Sequence, residues 1–381
     1  MLRFARKSRL FLALAVFPLI LCCSNSTTYS DEPEEPPQLE WTTVPYNSEL
    51  LRITGRTNYT MGDFVILSWS ASAVTVAFVG TALEMEAGTN QFAYIDVFVD
   101  GEKEPSSLIK LAKTGEEPIV VPVVDGLRYG THVVTLYKRS ESRNGDWLFY
   151  GLRVLGEARK DLLPKVPKHK IEFVGNSITC GCDVLNPVPG GESELAYTSS
   201  YHSYAGQTAM TLKAEIHNIC MGGRGFHINY DRSKNYLLPA IYGLTGTTSI
   251  YTVNWDPDKW HPDIVVVNLG TNDFASGAND SAGFVSAAVS FIERIRSYHP
   301  ESKIVMLDGP MLTGELMVQC RQYLDTVKAT LESRGIGDLY RFSLDPRGDN
   351  PFGINFHPTQ KEAAEDARKL SAWIRSKFGW K

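Results

Sequence analysis

The stretch IEFVGNSITCGCD, Ile171 to Asp183, starts as an apolar run, breaks at Gly175 and then sets a lone hydroxyl, Ser177, just past the break. A short, nearly continuous apolar run ended by glycine reads as a strand buried on both faces, as in a parallel sheet. Lys170–Val174 is the first such run, and Glu215–Ile219, Ile264–Leu269 and Lys303–Leu307 have the same character. Helical periodicity lies between them. Tyr201, Tyr204, Ala205, Thr208, Ala209 and Leu212 share one helical face, as do Phe284, Ala287, Ala288, Phe291, Ile292 and Ile295. A final helix opens at Thr359 with Glu362 three residues on, a capping-box spacing, and turns Ala363, Ala367, Leu370 and Ile374 inward. Strands alternating with amphipathic helices predict an α/β domain over residues 171–381, a parallel sheet flanked by helices.

Upstream the rhythm differs. From Leu39 to Gly156 short alternating runs such as DFVILSWSAS, AVTVAFVGT, AYIDVFVDGE and THVVTLYKRS are separated by turn residues, Asp100-Gly101 and Asp125-Gly126 among them. Seven or more strands with no helical pattern between them predict an all-β sandwich of jelly-roll type over residues 39–157. The segment RKDLLPKVPKHK then reads as a linker, residues 158–170.

At the amino terminus Arg3, Arg6, Lys7 and Arg9 precede an apolar run, Leu10 to Leu21, that is too short to span a bilayer. Residues 1–23 read as an export signal. The run ends in Leu-Ile-Leu-Cys-Cys-Ser, which resembles a bacterial lipobox and makes Cys22 or Cys23 the expected lipid anchor to the outer membrane; an ordinary signal peptide with incidental cysteines is the alternative. A polar, Pro- and Glu-rich tether, residues 24–38, follows. The expectation is an exported lipoprotein in the periplasm, outer membrane or cell surface. Lys and Arg total 38 against 43 Asp and Glu, and no basic stripe is present, so nucleic acid is excluded as a partner. Cys180, Cys182, Cys220 and Cys320 lack the paired C-x-x-C spacing of a zinc site, and no metal site is expected; in an oxidising compartment some of them can pair.

A parallel sheet places its chemistry beyond the carboxyl ends of the strands. Four stretches lie there or before the last helix: GNSIT (Gly175–Thr179), CMGGRG (Cys220–Gly225), NLGTND (Asn268–Asp273) and NFHPT (Asn355–Thr359). Their residue types match the needs of acyl transfer: a hydroxyl nucleophile, a base, and donors aimed at a developing oxyanion.

The ordered set Ser, Gly, Asn, His resembles the SGNH (GDSL-type) hydrolase superfamily. With the β-rich segment, carrying TGRTNY, VFVDGE and THVVTLYKRSES, it looks most like the family 2 carbohydrate esterases. The resemblance implies a serine esterase with no cofactor. Ser177 would be the nucleophile, His357 the base, and the Ser177 N–H, the Gly223 N–H and the Asn272 amide the oxyanion hole. The implied substrate is acetylated polysaccharide, xylan or glucomannan. Two positions depart from the wider pattern: Asn176 stands where Gly-Asp-Ser is usual, and Ile354 stands three before His357 where many members carry aspartate. Asp345 and Asp349 do not fit that spacing, so the expectation is a Ser177–His357 dyad with a backbone carbonyl accepting the Nδ1 proton. The aromatic segment from Gly225 to Pro262 makes Trp255 and Trp260 the candidate sugar-binding residues, with packing of that excursion as the alternative for each. Other readings are a lipid or thioester hydrolase on the same machinery, or a non-catalytic glycan-binding lipoprotein.

Overall fold

A computed structural model describes residues 38–381 except 116, 187, 189–190, 248–251, 276–279, 345 and 347–352. The export signal with Cys22 and Cys23, and the tether through Pro37, lie outside the described residues, as do Asp345 and Asp349. Leu39–Lys381 form one compact unit.

Among the described residues, nine antiparallel strands come first: β1 Trp41–Pro45, β2 Leu51–Thr54, β3 Val65–Leu67, β4 Ala73–Thr89, β5 Phe92–Val99, β6 Ser107–Ala112, β7 Ile119–Val124, β8 Gly130–Lys138 and β9 Trp147–Ala158. The 17-residue β4 organises them. Its first half pairs with β2 and β8, its second half with β7 and β9. Register shifts at Gly80/Ala82 and Glu86/Ala87 bend it between the two layers. The alternation read from the sequence points Val74, Val76, Phe78, Leu83 and Met85 into one core with Ile95, Val97, Trp147 and Phe149. The result is an antiparallel β-sandwich.

One sandwich residue breaks that alternation chemically. Asp96 on β5 is buried beside Arg139, Oδ1 to Nε 3.4 Å, and burial pushes its carboxyl up to about 6 against the lowering pull of the guanidinium. Its folded value lies above the unfolded one, near 3.9. Between about pH 4 and 6 the folded state therefore holds a proton that the unfolded chain has lost, and stability falls as pH rises through that window. Asp96→Asn is expected to raise unfolding free energy by roughly 2 kcal/mol at pH 7 and by little at pH 4. Urea titrations at both pH values check this, and an equal gain at both would rule out titration as the cause.

The second half is a five-stranded parallel sheet, β10 His169–Gly175, β11 Ala214–Cys220, β12 Ile264–Asn268, β13 Lys303–Asp308 and β14 Leu339–Ser343, in the order β11-β10-β12-β13-β14. The helices are α1 Ser177–Cys180, α2 Tyr204–Leu212, α3 Leu238–Ile241, α4 Thr271–Ala275, α5 Ser281–Tyr298, α6 Gly314–Ser333 and α7 Gln360–Phe378. Val265 and Val267 of β12 pack under α5 and α6, while Ile264 and Val266 pack under α2 and α7. Thr359 caps α7, its Oγ1 accepting from the Glu362 N–H. Tyr201 precedes α2, which Ser203 caps, and its ring packs on Phe98 and Tyr137 of the sandwich. The sheet order reverses at β10, so the crevice between the ends of β10, β11 and β12 is where a ligand fits.

The sandwich is joined closely to this sheet. Trp69 enters the core under α5, and Arg56 pairs with Glu172 of β10 at 2.8 Å, both fully buried. The Arg56 guanidinium also lies 4.6 Å from the centre of the Tyr242 ring.

Candidate active site

β10 ends at Gly175, and Asn176 turns the chain into α1. Its Oδ1 accepts the Ile178 N–H at 3.1 Å, so the amide supplies the capping bond that a carboxylate would supply at this position. Ser177 is the first residue of α1, where a backbone N–H has no acceptor within the helix. Gly181 ends the helix with φ 72°, and Cys180 is disulfide-bonded to Cys220 at the end of β11. The bond joins the Ser177 turn to the CMGGRG turn across a separation of 40 residues; by loop-closure entropy a bridge of that span contributes about 4 kcal/mol. Cys182 and Cys320 are free and buried.

The CMGGRG turn is fixed from α4. Asn272 Nδ2 donates to the Arg224 carbonyl at 2.8 Å, which leaves the second amide hydrogen for another acceptor. Next to it, buried Asp273 accepts the Phe226, His227 and Ile228 N–H groups at 3.0, 2.8 and 3.0 Å. Burial pushes this carboxyl up, and the three N–H donors oppose that shift. The Gly222 N–H is already engaged, donating to Glu141 Oε2 at 2.8 Å. Gly223, with φ 78° and no atom near where a Cβ would stand, borders the cavity and is the glycine of the pair whose N–H remains to meet a ligand.

His357 follows two residues with left-handed backbone, Asn355 at φ 51° and Phe356 at φ 61°. For a bulky residue such as Phe356 this conformation is strained, and it persists only where the surroundings demand it. The ring Nδ1 lies 3.2 Å from the Ile354 carbonyl, so a backbone acceptor occupies the place expected for it. Sequence reasoning misses a second acceptor: Asp183 Oδ2 is also 3.2 Å from Nδ1. Asp183 is buried at φ 56° and its Oδ1 accepts from Ser193 Oγ at 2.6 Å. Burial raises its carboxyl, but bonds from His357, Ser193 and Asn355 outweigh this and hold it below the usual carboxylate range. Nδ1 thus meets the backbone carbonyl expected for a dyad and, in addition, a carboxylate that the sequence reading did not name. Asp183 closes the very stretch that carries Ser177, six residues on, and its one signal is a polar residue after the Cys-Gly-Cys turn.

Ser177, Gly223, Asn272 and His357 border one cavity of about 520 Å³. Trp255 and Trp260 do not border it. They are 7% and 8% exposed; Trp260 stacks on His217 of β11 at 3.6 Å and Trp255 meets the same ring edge-on at 5.9 Å. The faces are occupied within the fold: Trp260 has His217 stacked on it and the Lys170 ammonium 5.7 Å from its centre, and Trp255 has the Arg56 guanidinium and the Lys259 ammonium each 5.9 Å from its centre; burial lowers His217 to about 3, so it packs as a neutral ring. The aromatic rings at the cavity are instead Phe356 and Tyr230, 66% and 64% exposed.

Comparison with known proteins agrees with this architecture. Residues 53–164 match the Carbohydrate esterase 2 N-terminal family, and residues 173–375 the GDSL-like Lipase/Acylhydrolase family. The chain is 32% identical over 318 residues to cellulase/esterase CelE of Acetivibrio thermocellus, covering 82% of this chain but only 38% of that protein. It is 26% identical over 340 residues to an acetylxylan esterase / glucomannan deacetylase of Cellvibrio japonicus, covering 89% and 92%. Among solved structures, a family two carbohydrate esterase from Clostridium thermocellum in complex with cellohexaose superposes with TM-score 0.81 at 30% identity, covering 87% of this chain and all of that one. One from Cellvibrio japonicus gives 0.80 at 26% identity, covering 90% and 99%. The chain belongs to the family 2 carbohydrate esterases, with a GDSL-type hydrolase domain.

Proposed function

We propose that this protein is a serine esterase that removes O-acetyl groups from plant polysaccharide, acetylated xylan and glucomannan, and that it works as an exported lipoprotein anchored through Cys22 or Cys23. The observation that carries the reading is the single cavity shared by Ser177, Gly223, Asn272 and His357, with Asp183 behind the histidine. His357 Nε2 takes the proton of Ser177 Oγ as that oxygen bonds to the acetyl carbon. The carbonyl oxygen becomes an oxyanion facing the Ser177 and Gly223 N–H groups and the free amide hydrogen of Asn272. On collapse the carbon–oxygen bond to the sugar breaks, and the imidazolium returns its proton to the sugar oxygen. Water, deprotonated by the same nitrogen, then releases acetate and restores Ser177. Asp183 and the Ile354 carbonyl keep the Nδ1 proton in place throughout. No cofactor enters these steps.

The names of the relatives support the substrate class, and so do Phe356 and Tyr230, exposed aromatic residues on the border of the cavity that holds Ser177. The test is acetate release by the mature protein from acetylated xylan and acetylated glucomannan; no release from either polymer would defeat the substrate reading. In the same assay Phe356→Ala is expected to raise KM on polymer about tenfold, the loss of one stacked ring, with a much smaller rise on an aryl acetate. Equal rises on both would mean that the ring supports His357 rather than a sugar.

A further inference from the structure

The loop between β8 and β9 belongs to the sandwich, yet its side chains reach the ends of the parallel strands. Glu141, 1% exposed, accepts the Gly222 N–H at Oε2, 2.8 Å, and the Cys182 thiol at Oε1, 2.6 Å. Cys182 follows α1, and its own N–H donates to the Ser177 carbonyl at 3.0 Å. One buried carboxylate thereby ties the turn that carries Ser177 to the turn that carries the Gly223 N–H. Arg143 neutralises it in a two-pronged pair, Nε to Oε2 at 3.0 Å and Nη2 to Oε1 at 3.1 Å.

The loop is braced on its far side. Buried Lys138 donates to the carbonyls of Ser68, Ser140 and Glu141 at 2.7, 3.1 and 3.3 Å, and Ser142 Oγ lies 2.7 Å from Thr247 Oγ1. Gly222 is fitted to the same contact: a Cβ there would stand 2.8 Å from Arg143 Nη2 and 3.2 Å from Glu141 Oε1. Gly223 has no side chain to anchor its turn; its carbonyl accepts the Tyr230 N–H at 2.9 Å, and the peptide that carries its own N–H is held from the other side by the Gly222 bond to Glu141. Oxyanion donors act only when fixed in advance at the developing charge.

We propose that Glu141, supplied by the β-sandwich and held by Arg143, is a positioning residue that aims the Gly223 N–H at the acyl oxygen. The sandwich is then part of the catalytic machinery and not only a support or a glycan module. The inference rests on the esterase reading above. It predicts damage to kcat rather than to KM, because the Gly223 N–H bond strengthens only as charge develops.

The test compares the full-length mature protein with Glu141→Ala, Glu141→Gln and Arg143→Ala on an aryl acetate. An alkylboronic acid, which adds to the serine as a mimic of the tetrahedral state, is titrated alongside. Glu141→Ala is expected to lose about 100-fold in kcat, in the range of a lost oxyanion donor, with KM changed less than about threefold and boronate affinity weakened in parallel. Glu141→Gln keeps an oxygen for the Gly222 N–H and is expected to recover to within about tenfold of the parent, with Arg143→Ala between the two. A folded Glu141→Ala with kcat within about threefold of the parent, or one whose kcat falls while boronate affinity holds, overturns the inference. If Glu141→Ala does not fold, parent-like kcat and boronate affinity in both other variants overturn it. A parent inert on every ester tested would overturn the esterase reading and this inference with it, an outcome distinct from an active parent with indifferent variants.

Discussion

Ser177→Ala and His357→Ala are each expected to lower kcat for acetate release by about 10⁴-fold or more while leaving the thermal midpoint close to that of the parent. The two act on one proton: without the serine there is no oxygen to acylate, and without the histidine that oxygen keeps its hydrogen. The losses should therefore not add, and the double variant should be no worse than either single one. The activity that remains belongs to the oxyanion donors, Gly223 and Asn272, which neither substitution touches. Acetate assays on an acetylated polymer and on an aryl acetate, with melting curves to show that the variants are folded, decide the matter. Ser177→Ala retaining a tenth of the parent rate would remove Ser177 as the nucleophile.

The order of the sheet explains why so much of this site is legible in the sequence. Apolar runs stop at Gly175, Cys220 and Asn268, in register across the sheet, and a parallel sheet gathers whatever follows its strands at one edge. Ser177, Gly223 and Asn272 can be found from that rule and from their residue types. The fifth strand, β14, is harder to see: its sequence LYRFS holds only one fully buried residue, and Arg341 reaches from it to Asp308 of β13. Partners that meet across a turn or between the two halves leave no periodic trace. Asp183 meets His357 only because the chain takes a left-handed step after the Cys-Gly-Cys turn, and Glu141 meets Gly222 only because the sandwich docks on the sheet. The tryptophans fail for a related reason. An aromatic-rich segment announces that rings are present, but burial of Trp260 depends on His217, a residue of another strand. Phe356, beside the histidine in sequence, is the better candidate.

Asp183→Asn is the second large effect, and its size separates two ways of running the same histidine. Replacing the carboxylate behind a catalytic imidazole by an amide costs about 10⁴-fold where the imidazole is thereby held in the wrong tautomer. Here the Ile354 carbonyl, 3.2 Å from Nδ1, is a second acceptor that preserves the correct tautomer. What the amide variant forfeits is the negative charge facing the imidazolium, so the expected fall in kcat is about 10²-fold. The same carboxylate bears on stability: the Asp183 carboxyl is depressed in the folded state, so its contribution is present above the unfolded value near 3.9 and is lost as pH falls through the folded one. Turnover of an aryl acetate by the parent and the variant at pH 7 measures the drop, and melting curves show whether the variant is folded. A variant within about threefold of the parent would mean that the backbone carbonyl alone orients His357 and that the working unit is a dyad; a loss near 10²-fold in a variant that folds as the parent does would make Asp183 its third member.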